Sequence, residues 1–376
     1  MNAQESVAPK PQPQGGVLGW LVTGLGRILV SIFVPVMTFT VLWQGFLFLR
    51  DSNAPQVVLV LVAIIWGVGG VAVLYTVSNW VVEQLPDEWT RRLQPFVFVG
   101  PALAILAWFL AIPTIRTLVL SFRDATSLHW AGLSNFVYAF TDRVMLEAFR
   151  NNLLWLVIGT SLSVGLGLLI AVLADRSRFE NVYKAIIFMP MAISFVGAGV
   201  IWKFVYTYKG TGAGIQEIGL LNAMVLAMGG ATQPWLQNAP WNNFFLIIIM
   251  VWLQTGFAMV IISSAIKGVP AELIEAARID GASEIRAFFN IIIPYIQGTL
   301  LTVTTTILIF SLKLFDIVRV MTGGNNGTNV IANEFYLERF TYGNAGRASA
   351  IAVVLLIAVL PVMIYNLRQF RESRAF

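Results

Sequence analysis

Long apolar stretches alternate with short polar segments along almost the whole chain. Eight stretches contain no Asp, Glu, Lys or Arg and reach, or nearly reach, the roughly 20 residues that a helix needs to cross a bilayer core of about 30 Å. They are Ile28–Leu49, Val57–Val82, Pro95–Ile115, Asn151–Ala174, Ala185–Trp202, Trp241–Ile266, Tyr295–Leu312 and Ala348–Leu367. Because a helix satisfies its backbone hydrogen bonds internally, this pattern predicts an all-α integral membrane protein with eight transmembrane helices.

The composition agrees with a membrane environment. Hydrophobic residues make up 57% of the chain, and charged residues only 11%, against about 25% in an ordinary soluble domain. The net charge of +5 is typical of basic loops beside membrane spans, so we expect no nucleic-acid partner. The chain has no cysteine, which excludes disulfides, thiolate catalysis and Cys-ligated metals.

The ends of the chain give a prediction of topology. The first residues are rich in Pro, Gln and Gly, and we expect residues 1–27 to form a disordered cytoplasmic tail without a cleavable signal peptide. Eight spans place both termini on one side of the membrane. A weak excess of basic residues in the shorter loops favours the cytoplasmic side for both.

The most informative polar segment lies between the sixth and seventh apolar stretches. It contains Glu275-Ala276-Ala277, then Asp280-Gly281-Ala282, and it closes with Pro294. Its small side chains would let a partner surface approach closely. The segment is too short for a domain, and it is charged and broken by glycine, so we expect a compact helical hairpin at the membrane surface.

Local signals define the two helices of this hairpin. Pro270 is expected at the first helical position, where its missing N–H costs nothing, and the helix should cover Ala271–Ile279. Gly281 permits the positive φ that ends a helix. Ser283 can cap the next helix. The sequence therefore predicts a stiff, bent element suited to transmitting force between rigid bodies.

The motif resembles the EAA loop of importer-type ATP-binding cassette (ABC) permeases, and the resemblance extends from about residue 95 to residue 371. Further segments resemble permeases of maltose-type importers for di- and oligosaccharides, and are most similar to alpha-glucoside permeases. They are Leu133–Phe136, Phe188–Ser194, Ile201–Phe204, Phe315–Val318, Met321–Gly324 and Gly346–Ala350. The resemblance implies a type I ABC importer permease fold with cytoplasmic coupling helices. Two accessory helices (28–94) would precede a six-helix core (95–371) that contains the coupling loop (269–294).

In that family the loop docks on an ATPase subunit. Carried over by position, the coupling residues are Glu275, Ala276, Ala277, Asp280, Gly281, Ala282 and Pro294. The chain itself contains no Gly-Lys pair and therefore no P-loop, so we expect it not to be an enzyme. The resemblance implies that ATP and Mg are bound by two separate ATPase subunits, with no cofactor or metal in this chain.

Polar residues inside spans are costly unless they face a cavity or a partner. On this basis the candidate substrate path is formed by Gln254, Thr255, Phe257, Ser311, Lys313, Phe315 and Asp316. Lys313 and Asp316 are three residues apart and could pair along one helical face. The alternative is that both lie near the interface and extend towards water. In contrast, Gly159, Ser163 and Gly167 form a small-residue stripe that favours helix packing.

The predicted function is uptake of a di- or oligosaccharide into the cytoplasm by alternating access, with maltose, trehalose, sucrose or glucosylglycerol as candidate substrates. The implied partners are a second homologous permease, the two ATPase subunits, an extracytoplasmic sugar-binding protein and membrane lipid, all at a bacterial inner membrane. One alternative is an ABC permease for another solute. A stand-alone secondary transporter is disfavoured, because such proteins place carboxylates or unwound helices at mid-membrane and these spans lack Asp and Glu.

Overall fold

The computed structural model describes residues 17–85, 87–210 and 218–372. No β-strand occurs in these ranges, where an isolated bridge between Arg123 and Trp130 is the only extended pairing. The predicted all-α architecture is confirmed. The chain divides into two compact units between Thr114 and Ile115.

The first unit contains α1 (Val17–Asp51), α2 (Gln56–Glu83) and the beginning of α3 (Glu88–Leu120). An added Cβ at Gly45 of α1 would lie 2.4 Å from Cδ1 of Trp66, so glycine permits this close packing on α2.

The predicted disordered tail covers residues 1–27, and its first 16 residues lie outside the described part of the chain. Residues 17–27 instead belong to α1, because the apolar segment after Val17 continues the helix. The predicted boundary between accessory and core helices, at residues 94 and 95, falls within α3 and stays a prediction.

The second unit contains the end of α3 and all later helices. These are α4 (Ser134–Thr141), α5 (Arg143–Asp175), α6 (Glu180–Ala192), α7 (Phe195–Val205), α8 (Leu220–Ala227), α9 (Trp241–Lys267), α10 (Ala271–Ile279), α11 (Glu284–Tyr295), α12 (Gln297–Leu312), α13 (Asp316–Met321), α14 (Ile331–Tyr336), which continues into a π-helical turn (Leu337–Thr341), and α15 (Ala345–Glu372). α9 is the central helix, and α5, α6 and α12 pack against it.

The described helices support six to eight membrane spans. Six of them, α1, α2, α3, α5, α9 and α15, are individually long and apolar enough to cross a bilayer. The pairs α6–α7 and α11–α12 qualify only when each is counted together, and they are bent by 102° and 70°. The predicted number of eight corresponds to the upper count.

The bend between α6 and α7 interrupts a stretch that the sequence predicts as one helix. Pro190 lies in a tight turn at the end of α6, and Ile193 is extended. The hydroxyl of Ser194 then accepts a hydrogen bond from the Gly197 amide at 3.0 Å and caps α7. An apolar, charge-free stretch indicates burial in lipid or protein, but proline and a capping serine decide where the helix breaks.

The small-residue stripe of α5 packs against α9, as predicted. A Cβ at Gly167 would lie 2.5 Å from the Cβ of Ala258, and one at Gly159 would lie 3.2 Å from the Met250 sulfur. Ser163 is fully buried between them. Small residues therefore permit the close approach of these two helices.

Candidate coupling loop and substrate path

The coupling loop, residues 269–294, consists of α10, a tight turn and most of α11. Pro270 has an extended backbone (φ −56°, ψ 132°) and caps α10, so the prediction that it is the first helical residue was wrong by one position. The cap position tolerates proline for the same reason, because the N–H of a capping residue makes no hydrogen bond within the helix. α10 covers Ala271–Ile279, as predicted, and Gly281 follows with a φ of 78°.

Hydrogen bonds close the turn between α10 and α11. The Ala282 amide donates to the carbonyl of Ala277 at 2.9 Å, which satisfies one of the last carbonyls of α10. Ser283 caps α11 as predicted, because its Oγ accepts from the Arg286 amide at 3.3 Å. The turn is therefore held by its own backbone and does not depend on a partner.

Two ion pairs meet at Glu284 beside this turn. Its carboxylate lies 2.8 Å from the guanidinium of Arg278 on α10 and 3.4 Å from that of Arg176, which follows α5. All three side chains are more than half exposed. Exposed pairs of this kind contribute about 1 kcal/mol or less, so they orient the loop more than they stabilise it.

Most of the predicted coupling residues face outward. Glu275, Ala276, Asp280, Gly281 and Pro294 are exposed, whereas Ala282 is half-buried and Ala277 is buried. Ala277 therefore shapes the hairpin and offers little surface to a partner. The other small residues leave the outer side of α10 open to close approach.

The coupling loop also exposes large apolar side chains. Leu273, Ile279, Ile285 and Phe289 are 43%, 86%, 72% and 62% exposed. Such a group next to charged residues is unfavourable in water, and it is typical of a surface that another protein covers.

Pro294 precedes the 70° bend between α11 and α12. A π-helical turn, Phe288–Ile292, lies just before it, and Ile296 leaves the helical conformation with a ψ of 5°. Proline cannot donate the usual helical hydrogen bond, so a bend at this position is expected. The proline of the motif therefore fixes the direction in which α12 leaves the loop.

The predicted substrate-path residues lie on neighbouring helices. On α9, Gln254 and Thr255 are buried, and Phe257 is half-buried against the hydrophobic core. The hydroxyl of Thr255 donates to the Val251 carbonyl at 2.7 Å within its own helix. Ser311 lies on α12, which packs against α9; it is fully buried, and its hydroxyl has no hydrogen-bond partner among the described residues.

The structure does not support the predicted pairing of Lys313 with Asp316. α12 ends at Leu312, and Asp316 begins α13, so the two residues do not share a helical face. No ion pair joins them in the part of the chain that the structure describes. Between them, Phe315 packs its ring against that of Tyr336, with centroids 5.2 Å apart.

An asparagine network at the opposite end of α9 was not predicted. The side-chain amide of Asn151 donates to the carbonyls of Gly327 (2.9 Å) and Asn329 (2.8 Å). Asn243, near the start of α9, donates to the same Gly327 carbonyl at 3.0 Å. These bonds fasten the glycine-rich loop between α13 and α14 to α5 and α9. The sequence feature from which this network could have been predicted is the clustering of Asn with Gly.

Two buried carboxylates near this network were also missed. Glu334 and Glu338 are 2% and 3% exposed. Glu334 accepts hydrogen bonds from Asn329 (2.7 Å) and from the Tyr138 hydroxyl (3.1 Å). Burial nevertheless raises the pKa of Glu334 above its ordinary value, and nearby Glu338 adds to this effect. Because both carboxylates lie in a connection outside the apolar stretches, a search for charges within spans could not find them.

Two of the motif segments meet in space. The side-chain amide of Asn135 donates to the carbonyls of Ser121 (2.9 Å) and Arg123 (2.7 Å). Gly346 also packs against the Arg123 carbonyl, because a Cβ added to this glycine would be 2.1 Å from the Arg123 carbonyl oxygen. These motif residues therefore serve the fold of this connection and not ligand binding.

The sequence profile of a family described as "binding-protein-dependent transport system inner membrane component" matches residues 163–374, which include the whole coupling loop. The match covers more than half of the chain. The chain belongs to this family. It is accordingly a multi-pass inner-membrane permease.

The permease is also similar to named transport proteins over about three quarters of its length. It is 58% identical over 277 residues to the osmoprotective compounds uptake permease protein GgtC of Synechocystis sp., covering 74% of this chain and 99% of that protein. It is 48% identical over 285 residues to the alpha-glucoside transport system permease protein AglF of Rhizobium meliloti, covering 75% of this chain and 84% of that protein. The resemblance to sugar permeases of ABC importers is confirmed.

A solved structure supports the fold independently. The permease matches a chain of a bacterial ABC transporter involved in the import of the acidic polysaccharide alginate, with a TM-score of 0.64 and 20% identity. The match covers 75% of the permease and 98% of that chain. At this identity the similarity establishes an ABC importer permease fold and nothing about the substrate.

Proposed function

We propose that this permease moves an alpha-glucoside or a related small glucoside into the cytoplasm as one subunit of an ATP-driven importer. The observation that carries the proposal is its 48% identity to an alpha-glucoside permease together with its 58% identity to a permease for osmoprotective compounds. Maltose, trehalose, sucrose and glucosylglycerol are the candidate substrates. Glucosylglycerol unites the two relatives, since it is both a glucoside and a compatible solute.

The coupling loop is the proposed attachment point for an ATPase subunit. Leu273, Ile279, Ile285 and Phe289 would enter an apolar groove of the partner, while Glu275 and Asp280 would meet its basic groups. In this arrangement the loop and both termini lie in the cytoplasm. ATP and Mg would be held by the two ATPase subunits, and this chain would hydrolyse nothing.

Alternating access would expose a sugar path to the two sides of the membrane in turn. Gln254 and Thr255 on α9 and Ser311 on α12 are buried polar residues on neighbouring helices, and such residues meet sugar hydroxyls in an otherwise apolar cavity. The unpartnered hydroxyl of Ser311 supports this assignment most directly. A second homologous permease would complete the path, and an extracytoplasmic binding protein would deliver the sugar. The two helices before residue 95 would remain accessory.

Gly281 provides a test of the coupling role. Its φ of 78° is inaccessible to proline, whereas asparagine adopts positive φ at small cost, and no described atom lies within 4 Å of the position where a Cβ would stand. The permease, its genomic-neighbour permease and ATPase subunits and the binding protein would be reconstituted in liposomes. ATP hydrolysis and uptake would then be measured with a panel of the four candidate sugars.

We expect the wild-type complex to hydrolyse ATP faster with one or more of these sugars and to import the same sugars. Gly281→Pro should abolish the sugar-stimulated hydrolysis, and Gly281→Asn should retain it. Full activity of Gly281→Pro would contradict the coupling role. Stimulation by a non-sugar solute, with none by the panel, would instead support an ABC permease for another solute.

A further inference from the structure

A compact charged cluster joins three helices at the end of the bundle that carries the coupling loop. We call it the Lys184 cluster. Its members are Asp175, Glu180, Lys184, Ser263 and Lys267. Asp175 ends α5, Glu180 begins α6 and Lys184 lies one turn later, whereas Ser263 and Lys267 lie in the last turns of α9.

Lys184 is at the centre of the cluster. Its ammonium nitrogen lies 2.5 Å from Oδ1 of Asp175 and 2.6 Å from Oε1 of Glu180, and it also contacts the hydroxyl of Ser263. The Ser263 hydroxyl donates to the same oxygen of Asp175 at 2.7 Å. Lys267 pairs with Glu180 from the other side. Two positive and two negative charges therefore balance within one hydrogen-bonded group.

The cluster is shielded from solvent in a way that the ion pairs of Glu284 are not. The side chains of Lys184, Asp175 and Glu180 are 17%, 12% and 24% exposed, whereas both partners of Glu284 are more than half exposed. One carboxylate oxygen of Asp175 is buried without a hydrogen-bond partner among the described residues. Partly buried charges hold each other in place, because loss of one partner leaves the other desolvated and unpaired.

The close contact at Gly256 gives α6 a second attachment to α9. A Cβ on this glycine would lie 2.5 Å from the carbonyl oxygen of Ile187 and 2.7 Å from the Cα of Phe188, at the far end of α6. α6 is therefore fixed to α9 by charges near its start and by backbone contact near its end.

Beyond the bend, α7 groups mainly with α13, although the hydroxyl of Tyr206, the residue after α7, also donates to the Phe245 carbonyl of α9 at 3.1 Å. α7 packs on α13, where a Cβ at Gly199 would lie 2.9 Å from Val320. The extended residue Ile193 and the capping residue Ser194 separate this group from α6, with a bend of 102°. A displacement of α6 would therefore act directly on this bend.

We propose that Lys184 is a positioning residue that locks α6 to the end of α9, so that movement of the coupling loop is delivered to the bend at residues 193–194. The coupling loop begins directly after Lys267, so the same cluster that holds α6 also anchors the loop. The inference rests on the proposed coupling role of this loop. It assigns to the cluster a role in transmitting movement of the loop, and no residue of the cluster belongs to the EAA motif or to the proposed sugar path.

Three variants of positive residues test the lock. Lys184→Met removes the central charge, Lys184→Arg restores a charge with several donors, and Arg178→Met is the matched control. Arg178 lies in the same connection between α5 and α6, and it is exposed and outside the cluster. Sugar imported per ATP hydrolysed would be measured in proteoliposomes that contain the full complex.

We expect Lys184→Met to assemble with the ATPase and to lower sugar import per ATP by about fivefold or more, within the usual range of a coupling between sites. Lys184→Arg should recover most of the wild-type ratio, and Arg178→Met should keep it. An unchanged ratio in Lys184→Met would overturn the proposal. If that variant fails to assemble, Ser263→Ala is measured instead, because it removes the contact of Lys184 with α9 and keeps all four charges; an unchanged ratio there would overturn the proposal equally.

A spectroscopic measurement separates this inference from the proposed function. The chain has no native cysteine, so spin labels at Val182 on α6 and Ile261 on α9 would be unique, and both positions are exposed. We expect a narrow distance distribution in the wild type and in Arg178→Met, and a broad one in Lys184→Met. A narrow distribution in Lys184→Met overturns the lock even if the importer works. A wild-type complex with no ATPase or uptake overturns the proposed function whatever the labels show.

Discussion

The contact between α5 and α9 at Gly167 gives a prediction whose magnitude follows from the structure. A Cβ added at Gly167 would lie 2.5 Å from the Cβ of Ala258 and 2.9 Å from the backbone nitrogen of Met259. The first distance is 0.9 Å short of the 3.4 Å at which ordinary contact begins. Neither obstacle is the end of a flexible side chain, so Gly167→Ala must push the two helices apart.

A second glycine of the same helix isolates this effect. Gly165 is exposed, and no described atom lies within 4 Å of the position of its added Cβ. Each alanine gains about 0.5–1 kcal/mol of helix stability over glycine, so this gain cancels between the two variants. Overpacking costs about 1–3 kcal/mol, and we expect Gly167→Ala to be less stable than Gly165→Ala by this amount.

Thermal unfolding in one detergent, at one protein concentration and without substrate, measures this difference. Gly165→Ala should have a midpoint at or above that of the wild type, and Gly167→Ala should lie clearly below it. Equal midpoints for the two variants would refute the argument, because they would show that α5 and α9 do not approach as closely as described. Low midpoints for both would point to a requirement for glycine in α5 itself.

Two further predictions concern buried polar groups. Ser311→Ala removes a buried hydroxyl that has no partner among the described residues, so the unfolding midpoint should stay the same or rise. Loss of one sugar hydrogen bond worth about 1.4 kcal/mol should raise the half-saturating sugar concentration about tenfold. Ser264→Ala, at an exposed position, is the control, and an unchanged half-saturating concentration in Ser311→Ala would contradict a sugar contact. For Glu334, a folded-state pKa raised by burial means that the native state holds the proton more tightly, so stability should fall as pH rises upward from about 4.5. Glu334→Gln should reduce this slope in unfolding curves across that window, and an identical slope would count against the assignment.

The sequence predicted the elements of this fold better than their breaks. Continuous apolar stretches, in which polar residues do not recur on one face, locate membrane helices well, because lipid requires an apolar surface around each helix. Such runs do not show where a helix bends, and the stretch from Ala185 to Trp202 contains a 102° turn at Ile193 and Ser194. The helical start at Val17 was missed because weakly apolar residues near Pro and Gly resemble a tail.

The coupling loop was predictable because its signals are local. The positive φ of Gly281 and the Ser283 cap depend on a few neighbouring residues, and both were confirmed. The substrate path depends on tertiary contacts, and there the pairing of Lys313 with Asp316 was wrong because α12 ends before Lys313 and Asp316 begins the next helix. The Lys184 cluster joins residues up to 92 positions apart in the chain, and helical spacing alone cannot bring such residues together.

The positions of the two bends bear on the proposed coupling role of residues 269–294. The loop includes α10 and most of α11 and connects α9 with α12, so a force on it would act in both directions along the chain. On one side α9 holds α6 through the Lys184 cluster and Gly256, and α6 ends at the bend before α7. On the other side α11 ends at Tyr295, one residue after Pro294, and the bend before α12 follows; α12 carries Ser311. In the proposed mechanism a partner docked on the loop would therefore change the angle of two broken helices, because α6 is held to α9, α11 is part of the loop, and a bend follows each of them.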